Sequence, residues 1–212
     1  MEIAIVLFDG FTGLDAIGPY EVLSRVPDAT VTFVASTPGL VRADTGRLAV
    51  QVDVALADLP APQVLLVPGG PGQVAAMTDQ VLIDWVRAAH RTSTWTTSVC
   101  TGSMILAAAG VLDGRRATSH WLALDRLPEF GAEQTLERVV FDGKVVTAAG
   151  VSAGIDMALR LAAFIAGDEV AQGIQLMLEY DPQPPFDAGS PTKAPDAIVA
   201  KLRSRSRFLR SG

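Results

Sequence analysis

The chain contains one cysteine, Cys100, in the stretch Thr97-Ser98-Val99-Cys100-Thr101-Gly102-Ser103. That stretch joins a β-rich run, 93–100, to a helix-period segment at 101–109. A thiol at such a junction can be a nucleophile. In an open parallel α/β sheet, reacting groups gather at the carboxyl ends of the strands. A helix N-terminus adds unpaired N–H groups and partial positive charge, both of which favour a thiolate. Position therefore predicts a Cys100 pKa well below the free value of about 8.5. Gly102 supplies the small residue that a strained strand-to-helix elbow needs downstream, while Ser98 stands where the upstream glycine usually sits. The competing reading is a small packed core residue, the usual fate of a lone cysteine in a buried strand.

Two further segments bear on that choice. Val67-Pro68-Gly69-Gly70-Pro71-Gly72 closes another strand-like run, and the paired glycines Gly69 and Gly70 let backbone approach a ligand. The Gly70 and Thr101 N–H groups are expected to form an oxyanion-type pair facing Cys100. Residues 70–75 also match G-x-G-x-x-A, the dinucleotide-binding fingerprint. Pro71 lacks an N–H and stiffens the loop that should cradle a pyrophosphate, and no acid ends a strand at the expected distance. Residues 11–23, after the first strand, carry two acids, Asp15 and Glu21. Either could share a proton with a thiol on the same sheet edge, or simply stabilise a helix's first turn.

The elements that would position these groups read as βαβ units. Buried strands are expected at 2–8, 30–35, 63–70 and 93–100, and helices at 15–26, 79–92 and 101–109. Residues 46–56 alternate like an exposed strand in a hairpin off the main sheet. Residues 137–150 read as two strands around Asp142-Gly143. Ser152 is the expected N-cap of a nearly all-apolar helix ended by Gly167, and Asp168 the cap of a helix over 169–179. Residues 181–195 hold five prolines and form an extended loop. One domain, 1–212, is expected, with 196–212 a solvated helix end or frayed tail.

Composition bounds the function classes. The chain is 49% hydrophobic and 19% charged, a globular balance. A net charge of −6 argues against broad nucleic-acid binding. Basic residues do cluster at the end, in Lys201, Arg203, Arg205, Arg207 and Arg210. No signal peptide and no transmembrane run is present, so a cytoplasmic protein is expected. One cysteine and two distant histidines offer no zinc-ligand spacing. His90 reads as a surface residue, and His120 as a pocket-wall residue beside Trp121.

Taken in order, LDAIGPYEVL, VPGGPG, SVCTGSMILAAAGVLDGRRATSHW and VVTAAGVSAGIDMAL resemble the ThiJ/PfpI (class I glutamine-amidotransferase-like) superfamily. SVCTGS, GRRATSHW and QLMLEYDPQPPFDAGSP look closest to its isocyanide hydratase branch. The resemblance implies a flavodoxin-like parallel-sheet sandwich with helices on both faces, and a homodimer with sites near the interface. It implies Cys100 as nucleophile, Asp15 as its acid partner and Thr101 as a third catalytic residue. Gly69, Gly70 and Trp121 are the expected oxyanion and substrate-binding residues. Many relatives carry histidine directly after the cysteine; Thr101 stands there instead, which argues against a Cys-His peptidase. The implied activity is cofactor-independent hydration of an isocyanide to an N-substituted formamide. The alternatives are a ligand-sensing module related to transcription regulators, or a glyoxalase- or deglycase-like enzyme.

Overall fold

A computed structural model describes residues 1–206. The chain opens with β1 (Glu2–Val6) and α1 (Gly13–Leu23), then β2 (Thr30–Ala35), β3 (Gly39–Arg42), β4 (Ala49–Val52) and β5 (Val54–Ala55). Next come β6 (Val64–Val67), α2 (Gln73–Ala76), α3 (Gln80–Thr92), β7 (Trp95–Val99) and α4 (Gly102–Ala108). The short strands β8 (Arg116–Ala117) and β9 (Glu133–Gln134) precede β10 (Val139–Asp142) and β11 (Val145–Ala148). Three helices finish the described chain: α5 (Ala153–Ala166), α6 (Asp168–Met177) and α7 (Asp196–Ser204).

The central sheet has the order β10-β11-β7-β6-β1-β2-β5, and every pairing in it is parallel except β10 with β11. From β1 the chain moves outward to β2 on one side and later to β6 on the other. The winding reverses there, so the crevice at the carboxyl ends of β1 and β6 is the topological switch point. Both faces are covered, which is why these strands are apolar throughout rather than alternating. Ile3, Ile5 and Leu7 pack in a cluster with α1, α5 and α6; Ala4 and Val6 point the other way, among residues of α3 and α4.

The expected sandwich is present, with several differences of detail. α1 starts two residues early and ends at Leu23, because Ser24 closes the last turn. The alternating run 46–56 divides: β4 pairs antiparallel with β3 in a hairpin apart from the main sheet, and β5 joins β2 at the sheet edge. The Asp142-Gly143 turn joins β10 and β11 as expected, with Gly143 at φ +58°. Ser152 occupies the N-cap of α5 without capping it, since its hydroxyl takes a hydrogen bond from Arg138 instead. Gly167 ends α5 at φ +92°, and Asp168 begins α6 rather than preceding it. The C-terminal segment is helical over Asp196–Ser204, with no buried residue in that helix. Arg207 and Arg210 lie outside the described residues. Among the described residues, no helix is long and apolar enough to cross a membrane.

Candidate active site

Three strand ends converge at the switch point. β7 delivers Cys100, β6 delivers Gly69 and Gly70, and the segment after β1 delivers Asp15 in the first turn of α1. Backbone stitches these ends together: Thr12 N–H donates to Gly69 O at 2.8 Å, and Gly72 N–H to Gly10 O at 3.0 Å. The glycines are there because backbone lies against backbone. A Cβ on Gly72 would sit 1.8 Å from Asp9 O, and one on Gly69 would sit 2.4 Å from Thr101 N. The G-x-G-x-x-A match therefore reflects packing of one loop on another. Gly72→Ala is expected to cost ~3 kcal/mol or more, because the clash is with main chain that cannot repack. Gly173→Ala, where added bulk meets nothing within 4 Å, is expected to stabilise by ~0.5–1 kcal/mol as a helix-interior change. Denaturant melts of the two variants check both signs.

Cys100 is 5% exposed and has φ +58°, the left-handed region. A non-glycine residue there stores roughly 1–2 kcal/mol of strain. This is the elbow geometry: strand and helix meet so sharply that the side chain between them is pushed out toward the cavity. Its N–H is held by the carbonyls of Ala148 and Ala149, at 3.0 and 2.8 Å. Asp15 is fully buried, and Gly69 N–H donates to its Oδ2 at 2.9 Å. Its Oδ1 is buried with no hydrogen-bond partner among the described residues.

Burial pushes the Asp15 carboxyl up to about 7, against the Gly69 N–H and the Cys100 thiol that favour its charged form. The thiol is not depressed, contrary to the expectation from its position. Burial raises it well above the free value, and the Asp15 charge raises it further, while Thr101 opposes this through both its N–H and its hydroxyl. The reason is one of scale: α4 has only seven residues, so its N-terminal charge does not offset the removal of the sulfur from water. The two groups titrate as a pair. Desolvation penalises the total charge in the pocket more than its location within the pocket. The pocket therefore tolerates at most one negative charge on the pair.

A cavity of about 320 Å³ opens on Cys100, lined also by Thr12, Gly70, Pro71, Thr101, His120, Leu122, Val151, Arg205 and Ser206. The oxyanion pair expected of Gly70 and Thr101 is corrected here. Gly70 N–H donates to Thr101 Oγ1 at 3.0 Å, and Gly69 N–H serves Asp15, so Thr101 N–H is the amide that reaches the sulfur. Trp121 lines a neighbouring cavity of about 420 Å³ that shares His120 and Val151 with the one at Cys100. The Arg203 guanidinium lies 5.8 Å from its ring centroid. His120 lies between the two cavities and lines both. His90 is half-buried, with Nδ1 2.8 Å from Thr96 Oγ1. Glu21 points outward into an ion pair with Arg25 at 2.8 Å, so Asp15 is the acid at the site. Sequence reasoning missed Thr12, Val151, Arg205 and Ser206. Each lies on a loop or after a helix end, where no periodic pattern marks it. Among the described residues, no group of three or more potential metal ligands occurs.

The DJ-1/PfpI family model matches residues 1–163, more than three quarters of the chain. The chain belongs to that family. It is 44% identical to the isonitrile hydratase of Pseudomonas putida over 206 residues, covering 97% of this chain and 90% of that protein. It is 34% identical to the HTH-type transcriptional regulator CdhR of Pseudomonas aeruginosa, covering 78% of this chain and 51% of the regulator. A crystal structure of a ThiJ/PfpI family protein from Pseudomonas syringae superposes with a TM-score of 0.93 at 38% identity, covering 96% of this chain and 84% of that one. The flavodoxin-like fold is thus that of the DJ-1/PfpI family.

Proposed function

We propose that this protein is an isocyanide hydratase, converting R–N≡C and water to the formamide R–NH–CHO without a cofactor. The observation that carries the reading is the Cys100–Asp15 pair: a thiol at positive φ facing a buried carboxyl that holds its proton up to about 7. The similarity to an isonitrile hydratase over almost the whole chain supports the substrate class.

The chemistry follows from one proton moving within the pair. With one proton on the pair, Cys100 passes its thiol proton to the Asp15 carboxylate. The thiolate bonds to the terminal isocyanide carbon as Asp15 delivers that proton to the same carbon, giving the thioimidate Cys–S–CH=N–R and the Asp15 carboxylate. Asp15, now a carboxylate, takes a proton from water as the oxygen adds to the same carbon, and passes that proton to nitrogen. The C–S bond then breaks to release R–NH–CHO. The hydroxyl proton returns to Asp15 and the sulfur leaves as thiolate, so the pair again holds one proton. Thr101 N–H stabilises the sulfur whenever it carries charge. Incubation with an alkyl or aryl isocyanide tests the reading, with stoichiometric formamide expected. A ligand-sensing module, the reading favoured by the likeness to half of a transcription regulator, would bind ligand and make no formamide.

The enzyme is proposed to act in the cytoplasm as a homodimer. α1 and α5 leave Leu14 and Phe164 exposed, the latter by 64%, which is surface suited to a partner. Light scattering at micromolar concentration is expected to give twice the monomer mass, consistent with a buried interface of roughly 2,000 Å².

A further inference from the structure

Two serine hydroxyls converge on one carbonyl. Ser103 Oγ and Ser119 Oγ each donate to Cys100 O at 3.1 Å. The Ser103 bond is local, one turn back along α4, and such bonds are common. The Ser119 bond is not: it spans 19 residues and comes from the loop after β8. That loop is itself fixed to the sheet, since Thr118 N–H donates to Thr147 Oγ1 of β11 at 2.9 Å. Ser103 and Ser119 are both buried. The proposed reaction assigns Ser119 no part, although it belongs to the GRRATSHW stretch that marked the chain from the start.

A trans peptide is planar, so its C=O and N–H point in opposite directions. The carbonyl oxygen of Cys100 offers two lone pairs, and two hydroxyls occupy them. With the oxygen held on that side, the N–H of the same peptide, which belongs to Thr101, is turned to the other side. We infer that Ser119, with Ser103, is a positioning residue that locks the Cys100–Thr101 peptide, so that Thr101 N–H faces the Cys100 sulfur. The inference rests on Cys100 being the nucleophile. Other charged or titratable groups around the sulfur are Asp15 from α1, His120 from the loop bearing Ser119, and Arg205 beyond α7, with Asp44 acting on Asp15 from the hairpin turn. All of them remain in the variants below.

The test is the pH profile of Cys100 alkylation by iodoacetamide, which needs no turnover. Ser103→Ala/Ser119→Ala is expected to alkylate about tenfold more slowly at neutral pH, with its profile displaced to higher pH, because the charged sulfur loses an oriented donor. Each single variant is expected to slow about threefold, and Ser119→Thr, which keeps the hydroxyl, to recover most of the rate. In turnover, kcat is expected to fall with KM unchanged. Ser98→Ala removes a buried hydroxyl that has no partner among the described residues, and is expected to leave the profile as in wild type. Because Cys100 is the only cysteine, carbonyl-¹³C cysteine places an infrared label on this one peptide. Its amide band is expected to move to higher frequency as each hydroxyl is removed. Should the double variant fail to fold, the single variants carry both measurements. Alkylation profiles and label bands that coincide with wild type would overturn the inference. A wild-type protein that makes no formamide yet shows these alkylation differences would remove the isocyanide reading and leave the clamp standing.

Discussion

Cys100→Ala is expected to show no isocyanide turnover above background, a loss of at least ~10⁴-fold. The chain has no second thiol, and a hydroxyl such as that of Thr12, which donates to Asp44 Oδ2 at 2.9 Å, is a far weaker nucleophile than sulfur. Formamide release measured beside Cys100→Ser and the wild type checks this, and turnover by Cys100→Ala above a tenth of wild type would remove sulfur from the mechanism. The variant should fold, because a buried thiol replaced by a methyl costs about 1 kcal/mol. A companion measurement isolates the strain. Alanine inherits φ +58° with the same Cβ penalty, whereas glycine adopts it freely. Cys100→Gly is therefore expected to melt at a higher temperature than Cys100→Ala, though both are inactive.

Asp15→Asn is expected to lower turnover by ~10²-fold or more, the scale of a lost acid–base group, and at the same time to stabilise the protein at neutral pH. The amide is nearly isosteric but cannot shuttle the proton. The stabilisation follows from linkage. Asp15 holds its proton up to about 7 in the fold, against about 3.9 for a free aspartate. Between those values the folded state binds more protons than the unfolded chain, so stability falls as pH rises through that window. Asparagine has no proton to lose. Its advantage should be near zero at pH 4 and grow to as much as about 4 kcal/mol at pH 7. Melting curves at the two pH values test this. An advantage that is equal at both would mean the carboxyl is not held neutral. Glu21→Gln is the control, expected to leave turnover unchanged, since that side chain is half-exposed and paired with Arg25.

The layout of the sheet was readable because its strands are buried on both faces and its helices are not. Continuous apolar runs at 2–8 and 63–70 and the period of 79–92 allow little else. What could not be read were features set by tertiary contact. β3 is four residues with a leading glycine, and only its pairing with β4 makes it a strand. Cys100 and Asp15 were identifiable as candidates from type and position. The order of their pKa effects was not, because a helix start predicts a low thiol pKa and only the depth of burial reverses it. The oxyanion pair failed for a similar reason. Nothing in Val67–Gly72 reveals that the Gly70 N–H is already engaged by a threonine from another strand end. Arg205 and Ser206 line the cavity from just beyond the end of α7, where no periodic pattern marks them.

The floor beneath Cys100 is built from main chain, and this divides the site into parts that can and cannot vary. At Gly69, Gly70, Gly72 and Gly102 an added Cβ would fall within 2.4 Å of another segment's backbone. A mutant library spent on those four codons returns misfolded protein whatever the selection. Leu122 and Val151 stand in the cavity wall with side chains that are free of that constraint. Selection for a new R group can reshape those positions while the sulfur, the carboxyl and the loop stitching stay where they are. Under the proposed function, substrate range is thus expected to be adjustable independently of Cys100 and Asp15, and diversity is best placed on the wall.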